Sequence, residues 1–240
     1  MNKLKAAVLY EYATKIKAMG VFYLIQYAIT ALIFAIVLIF TDGSQTGSNA
    51  LEFSSVVFVS VIGVLGYKED FKALLQNGYT RKSIFLSTVC MFVLLCGTMA
   101  LIDTVIGNTI HHFAKQYFTL FGSLYGYSSL FANWLWLTVL YLLFCSLSYL
   151  AILVIHRIGK TASLLLAIGL GGGVLLVIAL FRFVLSDKAV RAVADFWIRA
   201  MGFTGDGTTN IFFPVITFLV IGLVFGLAVF PLIRRAELIG

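Results

Sequence analysis

The chain has 240 residues, of which 61% are apolar and 11% are charged, and its mean hydropathy is +1.04. A soluble domain carries roughly a quarter charged residues and must cover its exterior with polar groups, so this composition excludes a water-soluble fold and points to lipid as the solvent. The formal charge of +7 does not mark a nucleic-acid binder, because the basic residues sit at the ends of apolar runs.

Six apolar runs predict six transmembrane helices in one membrane domain covering residues 1–240. In chain order they cover about Met19–Phe40, Ala50–Gly66, Ser83–Ile106, Leu130–Ile155, Thr161–Leu185 and Ile211–Ile233. Each lacks the two-residue alternation of a barrel strand, so the class is all-α. The first run is too long for the core of a removable signal peptide, and Phe40-Thr41-Asp42 is no cleavage site. Cys90, Cys96 and Cys145 lie inside apolar runs, which predicts neither a disulfide nor a metal site.

Orientation follows from the connections. Lys3, Lys5, Lys15, Lys17, Lys68, Lys72, Arg81, Lys82, Arg157, Lys160, Arg234 and Arg235 fall on one side, twelve against five on the other. The positive-inside rule then puts both termini in the cytoplasm. Before the first span, Leu4, Val8, Tyr12 and Ile16 form an i+4 row interrupted by Lys5 and Lys15, which predicts a short helix along the inner surface. Before the sixth span, DKAVRAVADFWIRA (187–200) places Asp187, Lys188, Arg191, Asp195 and Arg199 on one face and Val190, Val193, Phe196 and Trp197 on the other. That pattern predicts an amphipathic helix on the outer surface with i,i+4 charge pairs, ended by the glycine-rich 202–207.

Few residues suggest chemistry. Gly159-Lys160-Thr161 resembles the end of a phosphate-binding loop, but Val154 stands where the first glycine belongs, so a basic turn is the better reading. His111 and His112 are adjacent and have no acidic or cysteine neighbours, which favours a solvated loop over a metal site. Glu52, Asp103 and Arg182 lie in apolar runs near the outer ends of their spans. They read either as interfacial anchors and a structural pair or as an outer gate. Gly169/Gly173 and Gly222/Gly226 have the spacing of close helix packing. Tyr117, Phe118, Phe121, Tyr125, Tyr127 and Phe131 read as an aromatic belt. No cofactor is implied.

The second loop is the most informative segment. Glu69 and Asp70 suit a helix start, Phe71, Leu74 and Leu75 share a face, and Asn77-Gly78 suits a stop. Such a short amphipathic helix fits either the lipid surface or a soluble partner. With the following Tyr79-Thr80-Arg81-Lys82-Ser83-Ile84-Phe85, this segment resembles the ABC-2 type permeases, the six-helix subunits of bacterial ABC exporters. The layout of spans agrees over the whole chain, and the specific match covers about twenty residues.

The resemblance implies a non-catalytic permease subunit in the bacterial plasma membrane, energised by a cytoplasmic ABC ATPase and completed by a second permease copy or homologue. It makes Glu69, Asp70, Phe71, Leu74, Leu75 and Arg81 the coupling segment and the N-terminal helix a connector along the inner leaflet. It also implies an exported peptide, antimicrobial or other amphipathic substrate. The rivals are a secondary transporter, an intramembrane enzyme, and a non-transport anchor or immunity protein. The first would need a coupling carboxylate near the midplane and repeated halves, and the second convergent catalytic groups at membrane depth. The spans offer neither a histidine nor paired acids on sequence alone.

Overall fold

The computed structural model describes residues 3–40, 51–113, 115, 117–204 and 208–234, and these are all-helical apart from turns and isolated bridges. The helices are α1 (Lys3–Phe40), α2 (Glu52–Leu65), a π-helical turn (Gly66–Phe71), α3 (Lys72–Gln76), α4 (Arg81–Phe113), α5 (Leu120–Tyr125), α6 (Leu130–Phe183), α7 (Asp187–Ala200) and α8 (Phe212–Arg234). Five stretches are long and apolar enough to cross a bilayer: Lys3–Ile33, Arg81–Phe113, Leu130–Gly159, Thr161–Phe183 and Phe212–Arg234. α2 falls short on its own, since its 14 residues rise only about 21 Å. It does not stop there, however. The helical path continues through the π turn, so that Glu52 to Asp70 covers about 27 Å, close to the ~30 Å hydrocarbon core.

Contacts between helices fix their directions. α1 runs parallel to α4, with Glu11 beside Ser87 and Tyr23 beside Met99. α2 runs parallel to the first half of α6, where Gly63 meets Cys145 and Gly66 meets Tyr149. α8 follows the same direction, with Phe218 against Trp136 and Gly222 against Leu143. Lys15, Asp70, Arg81, His156 and Arg234 therefore collect at one end of the bundle, and Glu52, Asp103, Thr119 and Met201 at the other. The first is called the basic end below. A β-carbon at Gly63 would lie 2.5 Å from the Cys145 carbonyl oxygen, so only glycine lets α2 and α6 approach this closely.

Two expectations change. α1 is one unbroken helix of 38 residues, about 57 Å, with no joint between a surface helix and the first span. No proline interrupts it, and its polar residues find partners on α4 and the second loop. The fourth connection is reduced to a kink between two helical stretches, Leu130–Gly159 and Thr161–Phe183. α6 breaks only at Gly159 (φ 79°, ψ 170°), a left-handed conformation that glycine adopts without strain.

α7 spans the residues that the charge pattern predicts. Ser186 Oγ accepts from Ala189 N to cap its start, and Gly202 at φ 84° ends it. Its charges are not paired within the helix, because among the described residues both ion pairs shorter than 4.0 Å belong to Lys15. The expected outer loops at 41–50 and 205–207 and the two chain ends lie outside the described residues.

Candidate functional site

At the basic end, the buried face of α1 is the row Ala7, Glu11, Lys15, Met19 and Tyr23, not the row led by Leu4. Lipid inverts the usual rule. Apolar side chains already face a good solvent, so the polar ones turn inward to find partners. Lys15 is only 3% exposed, and its Nζ lies 3.3 Å from Asp70 Oδ2 and 3.5 Å from Glu69 Oε2. One turn earlier, Glu11 is fully buried and its Oε1 accepts from Ser87 Oγ at 3.0 Å. The N-terminal helix is thus locked to the second loop and to α4 through groups that water does not reach.

The second loop is helical, as expected, but its apolar face points into its own chain. Phe71 and Leu74 are 2% and 3% exposed and belong to the core, and Phe71 stacks on Tyr67 at 5.3 Å. They are therefore unavailable as anchors for a partner, which corrects that expectation. The reason is local: the π turn adds a residue to the helical cycle and rotates Phe71 and Leu74 towards the bundle. Leu75 is half-buried, and the face left open carries Glu69, Lys72, Gln76 and Asn77. Asn77 and Gly78 do stop the segment, with Gly78 at φ 76°. Arg81 donates to the Arg234 carbonyl, which ties the start of α4 to the end of α8.

At the far end the structure buries two acids from separate helices, α2 and α4. Glu52 and Asp103 are both buried, 2% and 5% exposed. Asp103 Oδ2 accepts from the Tyr141 hydroxyl at 2.6 Å, the Tyr23 hydroxyl donates to the Met99 carbonyl at 3.1 Å, and Ser55 is fully buried on α2 with no partner for its Oγ among the described residues. Glu52 Oε1 accepts from Leu120 N at 3.3 Å, whereas its Oε2 has no partner among the described residues. No lysine or arginine among the described residues pairs with either acid. Arg182 is not part of this group: it is exposed, with its guanidinium 5.6 Å from the Phe183 ring centre. The expected trio is a pair, and the paired acids missing from the sequence reading are here.

Other candidates resolve simply. His111 stacks on Tyr127 at 3.6 Å, and its Nδ1–H donates to the Tyr117 carbonyl at 2.6 Å, so it is a packing residue. Among the described residues no cluster could hold a metal ion. Tyr117, Phe121 and Tyr125 are buried, while Phe118 and Phe131 are exposed, so the belt is partly an inner wall. Gly222 approaches Leu143, but Gly226, Gly169 and Gly173 meet nothing within 4 Å. Gly226 instead borders an apolar cleft of about 430 Å³ between α4, α6 and α8.

No family model, no curated protein and no solved structure matches this chain. The functional reading therefore rests on its own residues. Sequence reasoning missed Glu11, Ser87, Tyr23, Ser55 and Tyr141. The one available signal was polar residues on a single four-residue row inside α1, Glu11 and Lys15 one step apart and Tyr23 two steps further on, past Met19.

Proposed function

We propose that the chain is the membrane-spanning permease subunit of an ATP-driven exporter, crossing the bilayer six times with the basic end in the cytoplasm. α2 and its π-helical continuation supply the sixth crossing. Two permease chains, identical or homologous, form a pathway for a peptide, antimicrobial or other amphipathic substrate in a bacterial plasma membrane. A cytoplasmic ABC ATPase hydrolyses the nucleotide.

One observation carries this reading. The second-loop helix is fastened to the N-terminal helix by the buried Lys15–Asp70 pair and to the bundle by Phe71 and Leu74, while Glu69, Lys72 and Gln76 face outward. A cytoplasmic hairpin that only rested on lipid would turn its apolar residues to the lipid. This one is built as a rigid lever with a polar contact face. Force from a docked ATPase at Lys72 and Gln76 passes through Lys15 into α1 and through Phe71 into α4 and α6. Purification from native membranes with its companions tests the reading, and a soluble ATPase recovered in stoichiometric amount is the expected result.

A second reading has its own support. Two buried carboxyls with no basic counter-charge among the described residues, Asp103 bonded by a tyrosine hydroxyl and Glu52 by a backbone N–H, suit a proton- or monovalent-cation-coupled carrier. Transport that follows a proton or sodium gradient and needs no ATPase would favour it.

A further inference from the structure

α7 presents both of its faces to the surroundings. Asp187, Lys188, Arg191, Asp195 and Arg199 are all exposed, and so are Phe196, Trp197 and Ile198. Its C-terminal end is nevertheless held firmly. Met201 O accepts from the Tyr125 hydroxyl at 2.7 Å, Phe203 stacks on Tyr125, and Ala200 O accepts from Thr217 Oγ1 at 3.2 Å. This anchored helix carries four alternating charges that make no ion pair with any of the described residues. The preceding half-helix, Thr161–Phe183, has no buried residue among those whose side chains are described.

The order of the charges identifies the partner. Along the i+4 row the signs run minus at 187, plus at 191, minus at 195 and plus at 199. Reversing the direction of the row exchanges every sign for its opposite. Two such helices laid antiparallel therefore oppose Asp187 to Arg199 and Arg191 to Asp195, each pair twice. Laid parallel in register, they set like against like at all four positions. Two copies of a membrane protein inserted with the same orientation are related by an axis along the membrane normal. An interfacial helix crossing that axis meets its copy antiparallel, the arrangement that this row satisfies.

We propose that α7 is a homodimer contact, in which the row Asp187, Arg191, Asp195 and Arg199 pairs with the same row of a second copy of this chain across a two-fold axis. This deepens the permease reading, on which it rests for the presence of a second subunit, by making that subunit identical and assigning its contact.

The test uses the full chain carrying either of two affinity tags, co-expressed and extracted into lipid nanodiscs at low salt. Wild-type chains should capture one another. Arg191→Asp chains, which set four acids together at the axis, should capture their own kind several-fold less, and so should Asp195→Arg chains, which set four bases there. Arg191→Asp with Asp195→Arg on the opposite tags should restore capture, because each new acid then faces a new base. Charge pairing confined within one helix cannot produce that rescue, and the rescued pair shows that both variants fold. Absence of wild-type capture, or equal capture in every combination, would overturn the proposal. ATPase recovered from the same nanodiscs is read separately. Its presence without self-capture removes the homodimer and leaves the permease reading, whereas its absence counts against the permease reading alone.

Discussion

The Tyr141 hydroxyl on α6 donates to Asp103 Oδ2 on α4 at 2.6 Å, joining two spans at a depth where neither group has water for an alternative. Tyr141 is fully buried, and the contact lies between residues 38 positions apart. Replacing Tyr141 by Phe leaves a buried carboxyl short of a donor and should cost about 1–3 kcal/mol of stability. Asp103→Asn keeps an acceptor for the tyrosine and should cost less. Thermal unfolding of both variants in lipid checks the order, and equal losses would contradict it. Transport assayed on Asp103→Asn separates the two readings of this acid: full activity makes it structural, and loss with retained stability makes it functional.

The Lys15–Asp70 pair predicts non-additivity. Lys15→Met alone leaves Asp70 buried beside Glu69, and Asp70→Asn alone leaves a buried ammonium with one partly exposed acid. Removing one member of a buried pair costs about 3–5 kcal/mol, whereas removing both is often close to neutral. The double variant should therefore be more stable than the sum of the single losses by at least 1 kcal/mol or so. A double-mutant cycle from thermal unfolding in lipid provides the number. Additive losses would show that the two residues act independently.

Burial of Phe71 predicts a folding defect where an exposed anchor would give only a binding defect. Phe71→Ala opens a cavity among Tyr67 and its neighbours and should cost about 3–5 kcal/mol. Lys72→Glu, one residue on but exposed, should leave the melting temperature within the error of wild type. If Phe71→Ala melts like wild type, the second loop is not packed as described.

The direction of the bundle can be read by labelling. In a background without Cys90, Cys96 and Cys145, a cysteine at Gly78 should resist an impermeant thiol reagent in intact cells. Cysteines at Ser128 and Lys188, at the opposite end, should react. Reaction at Gly78 from outside would reverse the assigned orientation.

Local features were legible in the sequence and long-range ones were not. α7 could be bounded because Ser186, the charge row and Gly202 are neighbours, and each acts within a turn or two. Five long apolar helices were visible by composition. The second expected span, Ala50–Gly66, is met by a helix of 14 residues, and no local signal announces the π turn that lengthens it. Glu11 with Ser87 joins residues 76 apart, and Glu52 and Asp103 become buried at the same end only once α2, α4 and α6 have packed. The inward faces of α1 and of the second loop were not legible, because both are set by packing. In lipid the polar row of α1 turns inward, and in the loop Phe71 and Leu74 pack on their own bundle instead of facing lipid or a partner.

The central claim is that the outward face of the second loop receives an ATPase. Membranes holding wild type, Lys72→Glu and Leu75→Arg should contain equal amounts of inserted protein, because neither residue lies in the fully buried core. A reversed charge inside a complementary contact, or an arginine forced into its apolar part, should lower ATPase recovery about tenfold or more. The decisive measurement is the amount of ATPase co-purified with each variant, read with substrate-stimulated ATP hydrolysis in the same membranes. The account predicts an inserted permease stripped of its ATPase in both variants. Recovery, hydrolysis and transport unchanged in both would contradict it.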